Sequence, residues 1–146
     1  MTGPRIDYLA VFRHLPVPVL LLTPDFVIAD ANDAYLRVSG RDRDQLTGRG
    51  VFEAFPGDPR EPSATGARNL RASLARVLQT GEADIMPLQR YDVEIPGSPG
   101  AYMERYWCPV NTPVPDGGGG VELIIHSVEE VSDMVRTFVA AQAANA

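Results

Sequence analysis

The chain has 146 residues, of which 45% are hydrophobic and 22% are charged. This length suits a single domain and this composition is ordinary globular usage, so a chain that is disordered throughout is excluded. The formal net charge of −6 opposes contact with phosphate backbones and anionic lipid, so we expect neither a nucleic-acid partner nor a membrane partner.

The sequence also favours a cytoplasmic chain. No apolar stretch approaches the ~18 residues that a membrane-spanning helix needs. The N-terminus lacks the apolar region typical of a secretory signal. Cys108 is the only cysteine, which excludes an internal disulfide and fits a reducing compartment.

In chain order, the first predicted elements are a helix and a hairpin. Apolar residues at helical spacing predict an amphipathic helix from Tyr8 to Leu15, which Asp7 caps. A buried strand then begins at Val19, because Pro18 cannot donate a hydrogen bond to a central ladder. A turn leads to a second short strand over Val27–Asp30.

The middle of the chain predicts short helices and a loop. Asn32 is placed to cap a helix that Gly40 ends. The charged residues 41–46 predict one or two exposed helical turns, and Val51–Phe55 forms a short apolar segment before a proline. Glycines and prolines over residues 57–65 predict a loop, and we expect the highest mobility of the chain there.

The second half predicts one longer helix, three strands and a terminal helix. An apolar stripe predicts a helix over Gly66–Thr80. Strands are predicted roughly over Ile85–Ile95, Tyr102–Val114 and Val121–Val128, joined by proline- and glycine-rich turns that favour antiparallel neighbours. Residues 132–146 favour a helix. This order indicates an α+β domain with an antiparallel sheet and helices on one face.

The order of elements and the local sequence together resemble a PAS domain over about residues 15–133. The terminal stretch Val128–Asp133 resembles the family's D-[IV]-[ST]-[DE] pattern, with Glu130 in place of the aspartate. The other stretches that carry the resemblance are Leu15–Leu22, Ile28–Tyr35, Gln45–Arg49 (similar to the family's E-L-x-G-R) and Phe52–Pro56.

The resemblance implies a five-stranded antiparallel sheet with short helices packed on one face and flanking helices at both termini. It divides the chain into a flanking helix (1–15), the PAS domain (16–131) and a relay helix (132–146). It also implies a sensory and dimerisation module of a sensor histidine kinase, phosphatase or transcriptional regulator, with no catalytic residues of its own. A homodimer would form through the flanking helices and the outer sheet face.

A candidate ligand site follows from strand alternation and from the resemblance. Alternation places Ile124, His126 and Val128 on one face of the last strand, and the family analogy turns that face inward. The same analogy turns Arg105, Trp107 and Asn111 of the preceding strand inward, where stacking and hydrogen bonds would hold a small molecule. Together with Tyr91 they form the candidate site Tyr91, Arg105, Trp107, Asn111 and His126. The alternative for Arg105 is a place at the sheet edge, paired with Glu104 or Glu94.

The alternative is that these residues only fill a core, His126 being satisfied by its neighbours. We expect neither flavin nor haem, and the cofactor stays unknown. The family's flavin-binding cysteine motif is absent, and the Gly66–Thr80 helix has no histidine for haem; His126, Met86 and Cys108 are the conceivable haem ligands. No metal-ligand spacing is present.

Two other functions compete with the sensory one. The domain would be a ligand-free dimerisation module if its interior were fully packed. It would be a small α+β enzyme if His126 and Asp92 formed an acid–base pair, which requires hydrogen-bond distance between them.

Overall fold

A computed structural model describes residues 3–61 and 65–145, so part of the predicted 57–65 loop lies outside the described residues. The described residues form six helices and eight strands. The helices are α1 (Tyr8–His14), α2 (Asp33–Ser39), α3 (Arg43–Leu46), α4 (Val51–Ala54), α5 (Gly66–Thr80) and α6 (Ser132–Ala144). The strands are β1 (Val19–Leu22), β2 (Ile28–Ala31), β3 (Asp84–Ile85), β4 (Gln89–Arg90), β5 (Val93–Glu94), β6 (Tyr102–Met103), β7 (Tyr106–Pro115) and β8 (Val121–Glu130).

The main sheet is antiparallel, with the strand order β2-β1-β8-β7-β3, and β4 also pairs with β7. The predicted α+β architecture is therefore confirmed. Two predicted strands were too long: 85–95 divides into β3, β4 and β5, and 102–114 divides into β6 and β7. Pro87 separates β3 from β4, because proline has no N–H for the ladder. Strands β5 and β6 form a small sheet of their own.

Local sequence explains where α2 begins and ends. The Oδ1 atom of Asn32 accepts from the backbone N–H of Tyr35 at 3.0 Å, as predicted for an N-cap. It also accepts from the N–H of Val19 at 2.9 Å, and its amide donates to the carbonyl of Val17. Gly40 ends the helix in the left-handed conformation, with φ of 67°. Asn32 thus fixes α2 to the start of β1.

The core lies between the inner face of the sheet and the helices. Leu20 and Ile124 from the sheet and Leu74 from α5 are fully buried there. Helix α5 begins close to the β4 segment: a Cβ on Gly66 would lie 2.6 Å from the carbonyl oxygen of Arg90. Only glycine fits at that distance, so this contact sets how closely α5 approaches the sheet.

The two terminal helices are formed as predicted, but they leave apolar side chains uncovered. Helix α1 has no fully buried residue, and α6 buries only Ser132. The exposed apolar side chains are Ile6, Tyr8, Leu9, Val11 and Leu15 next to or on α1, and Met134, Phe138 and Val139 on α6. No helix within residues 3–61 and 65–145 has the length and apolarity that crossing a bilayer requires.

Candidate functional site

A cavity of about 40 Å³ lies between the inner face of the sheet and helices α2, α4 and α5. Its walls are mainly apolar and aromatic, and include Tyr35, Phe55, Leu70, Trp107 and Val128. A water molecule needs roughly 10–15 Å³ by this measure, so the space accepts a few waters or a few non-hydrogen atoms of a ligand. Pockets that enclose drug-sized molecules measure ~300–1,000 Å³, so a flavin or a porphyrin does not fit without side-chain movement.

His126 supplies one of the polar groups in the cavity wall. Its side chain is buried, and its Nδ1 lies 2.6 Å from Oδ1 of Asn111. The amide nitrogen of Asn111 donates to Oγ of Ser73 at 2.9 Å, which leaves Oδ1 as the acceptor. Nδ1 of His126 therefore carries the hydrogen, and Nε2 is an acceptor without a hydrogen-bond partner in the described residues. Burial lowers the pKa of His126 to about 4, so the ring is neutral at neutral pH.

A chain of hydrogen bonds leads from His126 to the protein surface. Beyond Asn111, the hydroxyl of Ser73 donates to Oδ2 of Asp84 at 2.5 Å. That carboxylate also binds the guanidinium of Arg76 at 2.9 Å. The bonds from Arg76 and Ser73 lower the pKa of Asp84. The chain connects β8, β7, α5 and β3, so it holds His126 in one orientation.

Tyr35 provides a donor on the opposite wall. Its side chain is buried, and its ring meets the ring of His126 edge to face, with centroids 6.4 Å apart. Burial raises the pKa of Tyr35, so the phenol stays protonated. Its hydroxyl makes no hydrogen bond to a residue within the described ranges. The cavity thus offers a ligand one O–H donor, from Tyr35, and one nitrogen acceptor, from His126.

The structure places three of the five predicted site residues in the cavity wall: Tyr91, Trp107 and His126. The hydroxyl of Tyr91 donates to the carbonyl of Phe55, and Nε1 of Trp107 donates to the carbonyl of Tyr91 at 2.9 Å. Both polar atoms are therefore already satisfied by the protein. Asn111 is fully buried behind His126 and orients it. A ligand-binding role for these residues stays a prediction.

Arg105 departs from its predicted position. It precedes β7, is half-buried, and lines a surface cleft instead of the cavity. Trp107 and Asn111 lie within β7, and their side chains face inward as strand alternation predicts. The prediction fails for Arg105 because this residue precedes the strand.

Tyr35 lies in the cavity wall but was not among the predicted site residues, and Met86, also in the wall, was predicted only as a conceivable haem ligand. For Tyr35 a signal was present: Ala34, Tyr35 and Val38 form an apolar stripe on α2 that must face the sheet. Met86 lies in the break between β3 and β4, where neither strand nor helix periodicity applies.

The acid–base pair of the enzyme alternative is not formed. The carboxylate of Asp92 is held by Arg90, with both N–O distances at 3.0 Å, and does not line the cavity. His126 binds Asn111 instead. Of the conceivable haem ligands, Cys108 is exposed on the outer face of β7. In the part of the chain that the structure describes, no three His, Cys, Asp or Glu side chains converge as a metal site.

The cavity is connected to α6 through the start of β7. Trp107 lies in the cavity wall, and its neighbour Tyr106 donates its backbone N–H to Oγ of Ser132 at 2.9 Å. Ser132 is fully buried and is the first residue of α6. Its own N–H donates to the carboxylate of Glu130 at 2.9 Å. The hydrogen bond between Tyr106 and Ser132 thus joins the strand that carries Trp107 to the residue that begins α6.

Comparison with known families gives one match: a family described as PAS fold, over residues 12–136. No curated protein matches the sequence. Among solved structures, a PAS domain from Colwellia psychrerythraea is similar, with a TM-score of 0.67 and 8% identity, covering 87% of this chain and 96% of that one. The PAS domain of nitrogen regulation protein NR(II) from Vibrio parahaemolyticus gives 0.60 and 12%, covering 86% and 99%.

A third similar structure is the VqmA dimer of Vibrio cholerae, described as a LuxR-type receptor in the absence of its target DNA. The TM-score is 0.58 and the identity 21%, covering 90% of this chain and 53% of VqmA. This chain thus spans about half of that protein. At these identities the likeness concerns the fold.

Proposed function

The chain belongs to the PAS fold family, and we propose that it is a sensory module whose cavity binds a small molecule and whose helix α6 carries the response. The observation that supports this proposal is the cavity, whose wall includes the side chains of Tyr35 and His126. Neither the hydroxyl of Tyr35 nor Nε2 of His126 hydrogen-bonds to a residue in 3–61 or 65–145, so both remain available to a polar occupant.

The response would leave the domain at the junction of β7 and α6. A ligand that contacts Trp107 favours one position of β7, and the bond between Tyr106 and Ser132 carries that preference to α6. Such a ligand changes the populations of two arrangements only by its different affinity for each.

Replacing Ser132 by alanine is expected to loosen this junction. The backbone N–H of Tyr106 loses its acceptor at a buried site, and the first turn of α6 loses its link to β7. We expect the amides at the start of α6 to exchange with deuterium about fivefold faster, since a net hydrogen bond is worth ~1 kcal/mol and ~1.4 kcal/mol is a factor of ten.

Ser127→Ala is the matched control. Its hydroxyl donates to the carbonyl of Val110, so it links β8 to β7 away from α6. Exchange in α6 should stay at the wild-type rate in this variant. Equal α6 exchange in Ser132→Ala and Ser127→Ala would contradict the proposed route.

We propose that the domain serves a sensor histidine kinase, a phosphatase or a transcriptional regulator and does no chemistry of its own. The failure of His126 and Asp92 to meet supports the second part. The absence of a nucleic-acid partner remains a prediction from the net charge of −6. The description of VqmA by its target DNA concerns that protein, of which this chain matches about half.

A second proposed function is homodimerisation through the terminal helices and the outer sheet face. The supporting observation is the apolar surface on both helices: Tyr8 is 74% exposed, Met134 67% and Phe138 64%. On the outer face, Val110 and Ile125 are only half-buried, so apolar surface continues onto the sheet. Apolar residues in such numbers on two helices are typical of an association surface.

Phe138→Glu is expected to weaken the dimer at least about tenfold, because it places a charge in an apolar contact. Sedimentation over a concentration series measures the change. Thr137→Glu adds the same charge at the neighbouring exposed position of α6 and should leave the dimer closer to wild type. A wild-type chain that sediments as a monomer at all concentrations would refute this function.

A further inference from the structure

A surface cleft of about 160 Å³ lies between the end of α2 and the small β5–β6 sheet. Two arginines line it, Arg37 on α2 and Arg105 before β7, and we call it the arginine cleft. Ser39 and Val93 line both the arginine cleft and the cavity. These two side chains therefore form the wall between the arginine cleft and the cavity, and a ligand that reaches both must pass between them.

The arginines of the cleft differ from others in the chain by lacking partners. Arg43, Arg76 and Arg90 each form an ion pair with an aspartate. Neither Arg37 nor Arg105 forms an ion pair or a side-chain hydrogen bond with any residue in 3–61 or 65–145. The chain has 19 acidic and 13 basic residues, so carboxylates outnumber the arginines that they could pair with. Two unpaired guanidinium groups in one cleft are therefore unexpected.

One carboxylate also lines the cleft, that of Glu94 on β5, which lies opposite Tyr102 in the β5–β6 pair. Arg41 adds a third guanidinium nearby, which donates to the backbone carbonyl of Glu94 at 3.4 Å. The local charge of the arginine cleft is therefore positive, opposite to the net charge of the chain.

We propose that the arginine cleft and the cavity together bind a small organic acid, with its carboxylate at Arg37 and Arg105 and its apolar body between Ser39 and Val93. This inference rests on the proposed function and adds the chemical class of the ligand. Guanidinium groups suit carboxylates because their donors match the two oxygens. The inner walls, with Phe55, Leu70 and Trp107, suit an aliphatic or aromatic body, and Nε2 of His126 would accept from a hydroxyl at its far end.

The test uses three carboxylates, hexanoate, benzoate and 4-hydroxybenzoate, each beside its neutral primary amide. Trp107 is the only tryptophan of the chain and lies in the cavity wall, so its fluorescence reports what enters. In the wild-type chain at least one acid should bind saturably and about tenfold or more tighter than its amide, as expected for charge-assisted hydrogen bonds.

The double variant Arg37→Gln/Arg105→Gln should lose this preference and bind the acid no better than the amide. Arg68→Gln, which removes an exposed arginine of α5, should keep the wild-type preference. Equal binding of acid and amide by the wild type, or a preference that survives in the double variant, overturns the inference. The inference is also overturned if none of the three acids binds.

These outcomes separate the inference from the proposed function. If the amides bind as well as the acids and raise or lower α6 exchange, the sensory function stands and the acid preference falls. If an acid binds through the two arginines but leaves α6 exchange unchanged, the site stands and the sensory function falls.

Discussion

The free energy of unfolding should fall by about 3 kcal/mol between pH 6.5 and pH 4 through His126 alone. Burial lowers the pKa of His126 from 6.5 to about 4. In that interval the unfolded chain binds a proton at this residue and the folded chain does not, so acid favours unfolding. The stabilising contribution of the buried neutral ring is complete above pH 6.5 and is lost as the pH approaches 4.

Urea unfolding at several pH values, compared with His126→Gln, measures this contribution. Glutamine does not titrate, and its amide still offers Asn111 a donor. The variant should lose less stability than wild type over the interval, by about 3 kcal/mol. His14→Gln is the control, since His14 is exposed on α1 and binds only the carbonyl of Ala10 among the described residues. If His126→Gln and wild type show the same pH dependence, His126 is not held neutral by burial.

Replacing Val128 by phenylalanine should empty the cavity of any ligand while the fold survives. Val128 lies in the cavity wall, and the larger ring occupies most of the 40 Å³ available. We expect the free energy of unfolding to fall by about 1–3 kcal/mol, the usual cost of overpacking. A small molecule that stays with the wild-type chain in native mass spectrometry, and is released on denaturation, should be missing from this variant.

Val110→Phe is the matched control for this change. Val110 is on the neighbouring strand, paired with Ser127, and points to the outer face. The same substitution there leaves the cavity intact, so the bound mass should persist. Bound mass that persists in Val128→Phe as well would place the ligand outside the cavity.

Much of the fold was predictable because it depends on local signals. Asn32 and Gly40 bound α2 as their chemistry requires, and Gly81 ends α5 in the left-handed conformation. Strand alternation correctly predicted that Trp107 and His126 are buried, because both belong to the regular ladder of β7 and β8. Where the ladder is interrupted, at Pro87 and before β7, the period-two pattern failed and Arg105 was misplaced.

The polar interior was not predictable, because its partners are distant in sequence. Asn111 binds Ser73, which is 38 residues away, and His126, which is 15 residues away. Ser73 and Arg76 lie on the same helix, and the fold joins both to Asp84. Only the packing of α5 on the sheet brings these groups together.

The central claim is that the occupant of the cavity sets the state of α6, and hydrogen exchange of α6 tests it most directly. Wild type, Val128→Phe and Val27→Phe are compared as purified; Val27 is a half-buried valine before β2 that does not line the cavity. We predict that exchange at the first turn of α6, from Ser132, differs between wild type and Val128→Phe, and that Val27→Phe follows wild type. If Val128→Phe loses the bound mass while α6 exchanges at the same rate in all three proteins, the cavity is not coupled to α6 and the account is wrong.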